Sequence, residues 1–221
     1  MNRSGKDSAQ LNKLEFYMKD LQLLDSRNSY PDSGFSIAAV RGLKYVDVWR
    51  THIKRQWYDI RLDDNSLFYF YKEGSEVSFS FLGCPYICAP YSVYKAKAEF
   101  EDMEDSFIQE CYEDELSTSE IKSNPYYFRY DYEDGSYRQG EHPVAHLHCG
   151  LMENVRIGSK KELDIMSFAA FVLRQVYIQQ WNVVLNDEKK YHELHVSKVN
   201  LADIKAEYYQ SKDKDQDFYL I

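Results

Sequence analysis

The chain has 221 residues, of which 36 are acidic and 27 basic, and its formal net charge is −9. This charge excludes a protein that coats nucleic acid through its overall field, although a local basic patch can still bind a strand. The length predicts a single domain over residues 1–221, divided into an N-terminal helix and turn (1–34), an α+β core (35–185) and a C-terminal extension (186–221).

Periodicity of the apolar residues predicts the elements of the first half. Residues 8–24 have helical spacing, residues 35–40 form a short apolar run typical of a strand, and residues 43–55 favour a helix. Residues 57–82 alternate between apolar and polar and contain two turn sequences, which predicts a three-stranded antiparallel meander.

The second half continues this pattern of strands and helices. Residues 91–115 have helical spacing with a strongly acidic outer face, and residues 162–185 are apolar almost all round, as in a buried helix. Strands are predicted at 126–132, 144–149 and 153–157. The fold class that follows is α+β, with an antiparallel sheet of about six strands and helices packed mainly on one face.

No secretory signal is visible in the sequence, and no disulfide framework is expected. The four cysteines form no CxxC pair, and the polar start of the chain, MNRSGKDSAQLNKLEF, has no apolar signal-peptide core. No stretch approaches the roughly 20 apolar residues of a membrane-spanning helix. We therefore expect a cytoplasmic protein with reduced thiols and no membrane association.

A basic and aromatic segment between residues 41 and 61 is a candidate nucleic-acid interface. A single strand needs cations for its phosphates and rings on which its bases stack. The residues that suit this role are Arg50, Lys54, Arg55, Trp57 and Arg61. The alternative is an ordinary solvated face of a helix and a strand.

A histidine cluster is the strongest candidate for chemistry. Three of the six histidines, His142, His146 and His148, fall within seven residues, shortly after a predicted strand that carries Arg129 and Asp131. Side chains two residues apart on a strand share a face. If the two strands are neighbours in the sheet, Arg129, Asp131, His146 and His148 meet on one polar face.

Two chemistries fit this cluster. The histidines can act as general base and acid in RNA cleavage, with Arg129 stabilising the charge on the phosphate and Asp131 orienting an imidazole. Alternatively, His146 and His148 hold a divalent metal together with a third ligand, either His142 or Asp131. Histidines that merely satisfy buried hydrogen bonds are the structural alternative. No other cofactor is expected.

The segment from Pro125 to Gly150, PYYFRYDYEDGSYRQGEHPVAHLHCG, resembles an uncharacterised bacterial family with an RYD…HPxxHLHxG signature. More distantly it is similar to the TumE-type toxins of toxin–antitoxin systems, which carry an RYD segment followed by a histidine cluster. The resemblance is tight over residues 128–150 and loose over residues 57–182, and this chain is longer than those small toxins. It implies a toxin or phage-defence setting and a ribonuclease activity, with Arg129, Asp131, His142, His146 and His148 as the shared motif.

The leading hypothesis is therefore a ribonuclease-like toxin or phage-defence effector that cleaves phosphodiesters by histidine acid/base chemistry. Its expected partners are RNA and a protein such as an antitoxin. One alternative is a non-catalytic partner-binding protein of a defence or toxin–antitoxin module. The other is a metal-dependent hydrolase with the ion at His142, His146 and His148.

Overall fold

A computed structural model describes residues 5–29, 31, 37–40, 42–151 and 155–214 of the chain. The first two residues of each of the predicted strands 35–40 and 153–157 lie outside these ranges, as do the ends of the predicted N-terminal and C-terminal segments. None of the described helices combines the length and the apolar character that crossing a membrane requires.

Within the described residues, seven strands form one antiparallel sheet in which each strand pairs with the next along the chain. The strands are β1 (Leu24–Arg27), β2 (Ile60–Leu62), β3 (Leu67–Glu73), β4 (Glu76–Leu82), β5 (Tyr127–Tyr132), β6 (Ala145–Cys149) and β7 (Arg156–Gly158). The predicted α+β class is confirmed, but the expected count of about six strands is corrected to seven. The unexpected strand is β1, which pairs with β2 although its residues were assigned to a helix and turn.

The helices connect and flank these strands. They are α1 (Gly5–Asp20), α2 (Ile37–Val40), α3 (Tyr45–Arg55), α4 (Tyr91–Lys95), α5 (Asp105–Thr118), α6 (Ile165–Val176), α7 (Ile178–Leu185), α8 (Glu188–Val199) and α9 (Ser211–Lys214). The prediction of a strand at 35–40 is wrong for the described residues 37–40, which are helical.

Two long predicted helices are each divided in the structure. The segment 91–115 contains α4, a single 3₁₀ turn and α5, and its apolar residues Tyr94, Phe100, Ile108 and Tyr112 pack against one another as a buried cluster. The segment 162–185 is interrupted at Tyr177, whose φ of −111° and ψ of 60° are not helical. The helical character predicted for both segments is confirmed, but each is interrupted rather than continuous.

The chain divides into two compact units, and each is described by itself. The first unit comprises Met1–Tyr17, Tyr69–Phe81 and Tyr127–Ile221, and the second comprises Met18–Phe68 and Leu82–Tyr126. The expected single domain with three successive parts stays a prediction.

In the first unit, helix α6 covers the apolar face of the strands. The ring of Phe168 lies 6.0 Å from that of Phe79 and 6.3 Å from that of Phe70. The helix begins at a capping box in which the Asp164 carboxylate accepts from the backbone N–H of Ser167 at 2.8 Å, which satisfies a donor that the first helical turn cannot. Side chains alternate between the two faces of a strand. The residues next to Phe70 in β3 and next to Phe79 in β4 therefore lie on the face of the sheet opposite to the one that α6 covers.

Candidate functional site

The antiparallel pairing of β5 with β6 brings the predicted polar residues together. Arg129 lies opposite His148 and Asp131 lies opposite His146, and directly opposed residues share a face of the sheet. Tyr130 lies opposite Leu147 on the other face, where its ring is 5.9 Å from that of Phe79. The predicted convergence of Arg129, Asp131, His146 and His148 required β5 and β6 to be neighbours in the sheet, and they are.

Asp131 is at the centre of this group. Its Oδ2 accepts a hydrogen bond from Arg129 Nε at 2.8 Å and lies 3.3 Å from His148 Nε2 and 4.0 Å from His146 Nε2. Its Oδ1 accepts from the hydroxyl of Ser78 on β4 at 2.8 Å. One carboxylate thus connects three strands of the sheet.

The hydrogen bonds of the histidines define their ring orientations. His146 Nδ1 lies 2.9 Å from the carbonyl oxygen of Pro143, and since a carbonyl only accepts, Nδ1 carries the proton and Nε2 the lone pair. His148 Nδ1 is buried and has no hydrogen-bond partner within the described part of the chain. The His142 ring centroid is 4.9 Å from that of His146, which in turn is 4.7 Å from that of His148.

The cluster is deeply buried. His146 and His148 are each 2% exposed and Arg129 is 7% exposed, whereas the Asp131 side chain is 16% exposed. His142 is half-buried and is the most accessible of the three histidines. A substrate in solution therefore meets Asp131 and His142 more readily than the two inner imidazoles.

Burial and charge set the protonation of these groups. Burial alone would raise the pKa of Asp131, but the hydrogen bond from His148, the Arg129 guanidinium and the Ser78 hydroxyl outweigh it and hold that pKa at about 2. Burial, reinforced by the neighbouring His148, lowers the pKa of His146 to about 4. Burial and then the nearby Arg156 lower the pKa of His142.

Among the described residues, Asp131, His146 and His148 form a group that could hold a metal ion, because one ligand atom of each lies within 4.8 Å of the others. Two histidines and one carboxylate are a common ligand set for mononuclear catalytic metals. Of the two expected ligand sets, the one with Asp131 as the third ligand meets this distance, whereas His142 lies outside the group although its ring neighbours that of His146. Asp131, the other third ligand considered, takes the place of His142.

Ser78 belongs to this site but was missed from the sequence. A signal for it was present, because VSFSFL alternates and places Ser78 on the face opposite the buried Phe79 and Phe81. What the alternation could not reveal is that β4 lies beside β5, which positions this hydroxyl at the carboxylate.

The candidate nucleic-acid interface lies in the second unit, and its residues differ in availability. Lys54 and Arg55 are exposed at the end of α3. Arg50 donates from Nε to the Tyr86 hydroxyl at 2.6 Å, and Arg61 Nε donates to the Asn65 side-chain oxygen at 3.0 Å.

Trp57 is the residue expected to stack on a base, but it is only 5% exposed. Its ring packs edge-on against that of His52, with 5.8 Å between the ring centroids. Its ring does not offer a free face to solvent. Binding of a strand by this segment stays a prediction that depends on the exposed cations of α3, Arg50, Lys54 and Arg55, of which Arg50 also bonds to Tyr86.

Comparison with known proteins identifies the family. No curated protein and no solved structure matches the chain significantly. One family model does match, that of an uncharacterised conserved protein family, DUF2290, and the match runs over residues 22–211. This range contains all five predicted catalytic residues and most of the chain. The chain therefore belongs to the DUF2290 family of uncharacterised conserved proteins.

Proposed function

We propose that the chain is a metal-dependent hydrolase of phosphodiesters, with a divalent ion held by Asp131, His146 and His148. The observation that carries this proposal is the close approach of three ligand atoms, one from each residue, within 4.8 Å of one another in a buried part of the sheet. RNA is the proposed substrate.

The distances are close to those that a metal needs. Ligand atoms about 2.0–2.2 Å from a tetrahedral zinc ion are roughly 3.3–3.6 Å apart. His148 Nε2 already lies 3.3 Å from Asp131 Oδ2, and His146 Nε2 lies 4.0 Å from the same oxygen. Small side-chain movements would therefore complete the coordination.

The surroundings of the ligands also favour an ion. The bond from His146 Nδ1–H to the Pro143 carbonyl is the kind of outer contact that orients a metal-bound imidazole. At neutral pH the low pKa of His146 keeps its ring neutral and the low pKa of Asp131 keeps its carboxylate ionised, which are the forms that bind metals.

The charge of the site indicates an anionic substrate. A divalent ion polarises a phosphoryl oxygen and lowers the pKa of a bound water. Arg129 would be a second cation beside a bound ion, and Asp131 supplies only one negative charge, so the centre would carry excess positive charge once the ion is held. Such a centre attracts a phosphodiester and stabilises the charge that develops on it during hydrolysis.

Metal-free cleavage of RNA by histidine acid/base chemistry is the second candidate. It is favoured by the 3.3 Å approach of His148 Nε2 to Asp131, which can orient that imidazole, and by the greater exposure of His142. The toxin or phage-defence setting belongs to either candidate and rests on the resemblance of the motif to toxin families.

Metal binding can be tested directly by titrating the metal-free protein with Zn²⁺ or Mn²⁺ and following heat release or the unfolding temperature. We expect saturable binding that is lost in Asp131→Asn and His148→Ala. His192→Ala is the matched control, since His192 is exposed on α8, and it should bind the ion as the unmodified protein does. Equal binding by all four proteins would refute the metal centre.

Cleavage of single-stranded RNA, with and without a chelator, separates the two candidates. Activity that falls by about 100-fold or more in chelator and returns with metal supports the hydrolase. Activity that survives chelator but is lost in His148→Ala supports acid/base chemistry instead. If neither metal binding nor cleavage occurs, the histidines are structural and a partner-binding role remains.

The cellular setting has its own test. Expression of the chain in bacteria should arrest growth if it is a toxin, and His148→Ala should remove the arrest at equal protein level. Equal growth with both forms would refute the toxin role without bearing on the metal site.

A further inference from the structure

Two cysteines in the second unit lie close together and take no part in the proposed hydrolase. Cys84 and Cys88 flank Tyr86, just after strand β4. This segment is held against residues 120–122 by backbone bonds: Lys122 N–H donates to the Pro85 carbonyl at 2.7 Å and Ile87 N–H donates to the Glu120 carbonyl at 2.8 Å. The positions of both thiols are therefore fixed by the surrounding backbone.

The two sulfur atoms share one environment. Each Sγ lies 3.9 Å from the carbonyl oxygen of Tyr86, so the two thiols neighbour the same acceptor. Cys84 is 1% exposed, whereas Cys88 is only half-buried. A small reagent from solution therefore reaches Cys88 first and Cys84 second.

Neighbouring groups stabilise a thiolate at Cys88. The hydrogen bond with Cys84 lowers the pKa of Cys88, although burial opposes this effect. The Tyr112 hydroxyl, which lies 3.8 Å from the Cys88 sulfur, and the Lys122 ammonium lower this pKa further. Asn65 donates to the Tyr112 oxygen at 2.6 Å, so the Tyr112 proton points away from Asn65, toward the Ala89 carbonyl at 2.8 Å and the more distant Cys88 sulfur. The hydrogen bond with Cys88 and burial both raise the pKa of Cys84.

We propose that Cys84 and Cys88 form a peroxide-sensitive dithiol in which Cys88 is the attacking sulfur and Cys84 the resolving one. The Cys88 thiolate attacks one oxygen of hydrogen peroxide, the O–O bond breaks, and the hydroxide that leaves is protonated to water. The Cys84 sulfur, giving up its proton, then attacks the resulting sulfenic acid, the S–O bond breaks, and a second water leaves. Two electrons pass from the sulfurs to the peroxide, and one disulfide forms.

The other two cysteines provide internal controls. Burial raises the pKa of Cys149, which disfavours its thiolate. Cys111 packs against the aromatic cluster around Tyr112. Neither has another cysteine among its described partners, so neither should form a disulfide within the chain.

Peptide mapping gives a direct readout. Trypsin releases residues 73–95 as one peptide that contains both Cys84 and Cys88, because no Lys or Arg lies between them. The folded protein is treated with a small excess of hydrogen peroxide, blocked with iodoacetamide and digested. We expect this peptide to lose two hydrogen atoms and to escape alkylation, and to regain two alkylated thiols when a reductant precedes blocking.

Single substitutions test the order of the two steps. In Cys84→Ser we expect a sulfenic acid at Cys88 that dimedone traps, and in Cys88→Ser we expect Cys84 to stay reduced. Oxidation of Cys84 in Cys88→Ser at the unmodified rate, or a stable Cys88 sulfenic acid in the unmodified chain, would overturn the proposal. So would faster oxidation of Cys111 or Cys149.

The role of Tyr112 as a positioning residue can be read from pH. In Tyr112→Phe the rate of Cys88 alkylation at pH 7 should fall by about threefold to tenfold, and the midpoint of its pH profile should move upward. An unchanged midpoint would show that the hydroxyl does not stabilise the thiolate. These measurements use neither metal nor RNA, so their outcome is independent of the proposed hydrolase.

Discussion

Replacing Asp131 with Asn should lower the free energy of unfolding at pH 7 by about 2–4 kcal/mol. The substitution keeps the shape of the side chain but leaves the Arg129 guanidinium, which is 7% exposed, without its counter-ion. Lowering the pKa of a carboxyl from its usual 3.8 to about 2 corresponds to about 2.5 kcal/mol of folding free energy. Removing one partner of a buried pair typically costs about 3–5 kcal/mol, and the partial exposure of the Asp131 side chain places this pair at the lower end of that range.

The sign of the pH dependence follows from the lowered pKa. The stabilisation by Asp131 is fully present above its unfolded pKa and is lost as the pH falls through its folded pKa of about 2. The difference between the unmodified protein and Asp131→Asn should therefore be constant from pH 5 to 7 and shrink below about pH 4. A difference that stayed constant down to pH 2.5 would contradict the assignment of an ionised Asp131.

Urea unfolding at pH 7 and at pH 3 measures these differences. Asp105→Asn is the matched control, because Asp105 pairs with Lys95 on the exposed surface and its loss should not be measurable. A double-mutant cycle with Arg129→Met should show a coupling of about 2 kcal/mol. Strict additivity of the two substitutions, or an unchanged midpoint in Asp131→Asn, would refute the buried ion pair as a stabilising feature.

Three further predictions concern other parts of the chain. Because burial lowers the pKa of His146 to about 4, the unfolded chain binds more protons than the folded one as the pH falls below 6.5, and stability should drop by up to about 3 kcal/mol by pH 4. His146→Gln should flatten this slope in urea unfolding, and an unchanged slope would contradict the lowered pKa. A Cβ at Gly83 would lie 3.0 Å from the backbone oxygen of Tyr126, so Gly83→Ala should lower the free energy of unfolding by about 1–3 kcal/mol in thermal unfolding. A Cβ at Gly135 meets open space, so Gly135→Ala should lower it by less than half as much. If the exposed end of α3 binds RNA, reversing the charge of Lys54 and Arg55 together should weaken binding at least tenfold and reduce its salt dependence in a filter or anisotropy assay; unchanged affinity would remove this interface.

Part of the site follows from strand alternation alone. The period of two in β5 and β6 correctly separated Arg129 and Asp131 from Tyr130, and His146 and His148 from Leu147. The register that sets Asp131 opposite His146 depends on the turn between the strands and on packing against α6, which lie outside any local pattern. The burial of the site residues could not be predicted either, because alternation shows which face a residue occupies but not what covers that face.

The errors in the fold have similar causes. Residues 37–40, IAAV, are apolar without a resolvable period, and a run this short does not distinguish a strand from a helix. Strand β1 carries the polar residues Asp25, Ser26 and Arg27 and is formed only through its pairing with β2. Its stability is non-local, so its own residues give little sign of it.

One contact of helix α1 bears on how the family is delimited. The Gln10 side chain donates to the Asp164 carboxylate at 2.7 Å and accepts from the Ile165 backbone N–H at 3.1 Å, so it extends the cap of α6 from a distant part of the chain. Leu11 and Leu14 of the same helix are almost completely buried. A protein trimmed to the matched range 22–211 would lose all of these contacts. The smallest piece that folds should therefore include helix α1, ahead of the stretch by which relatives are recognised.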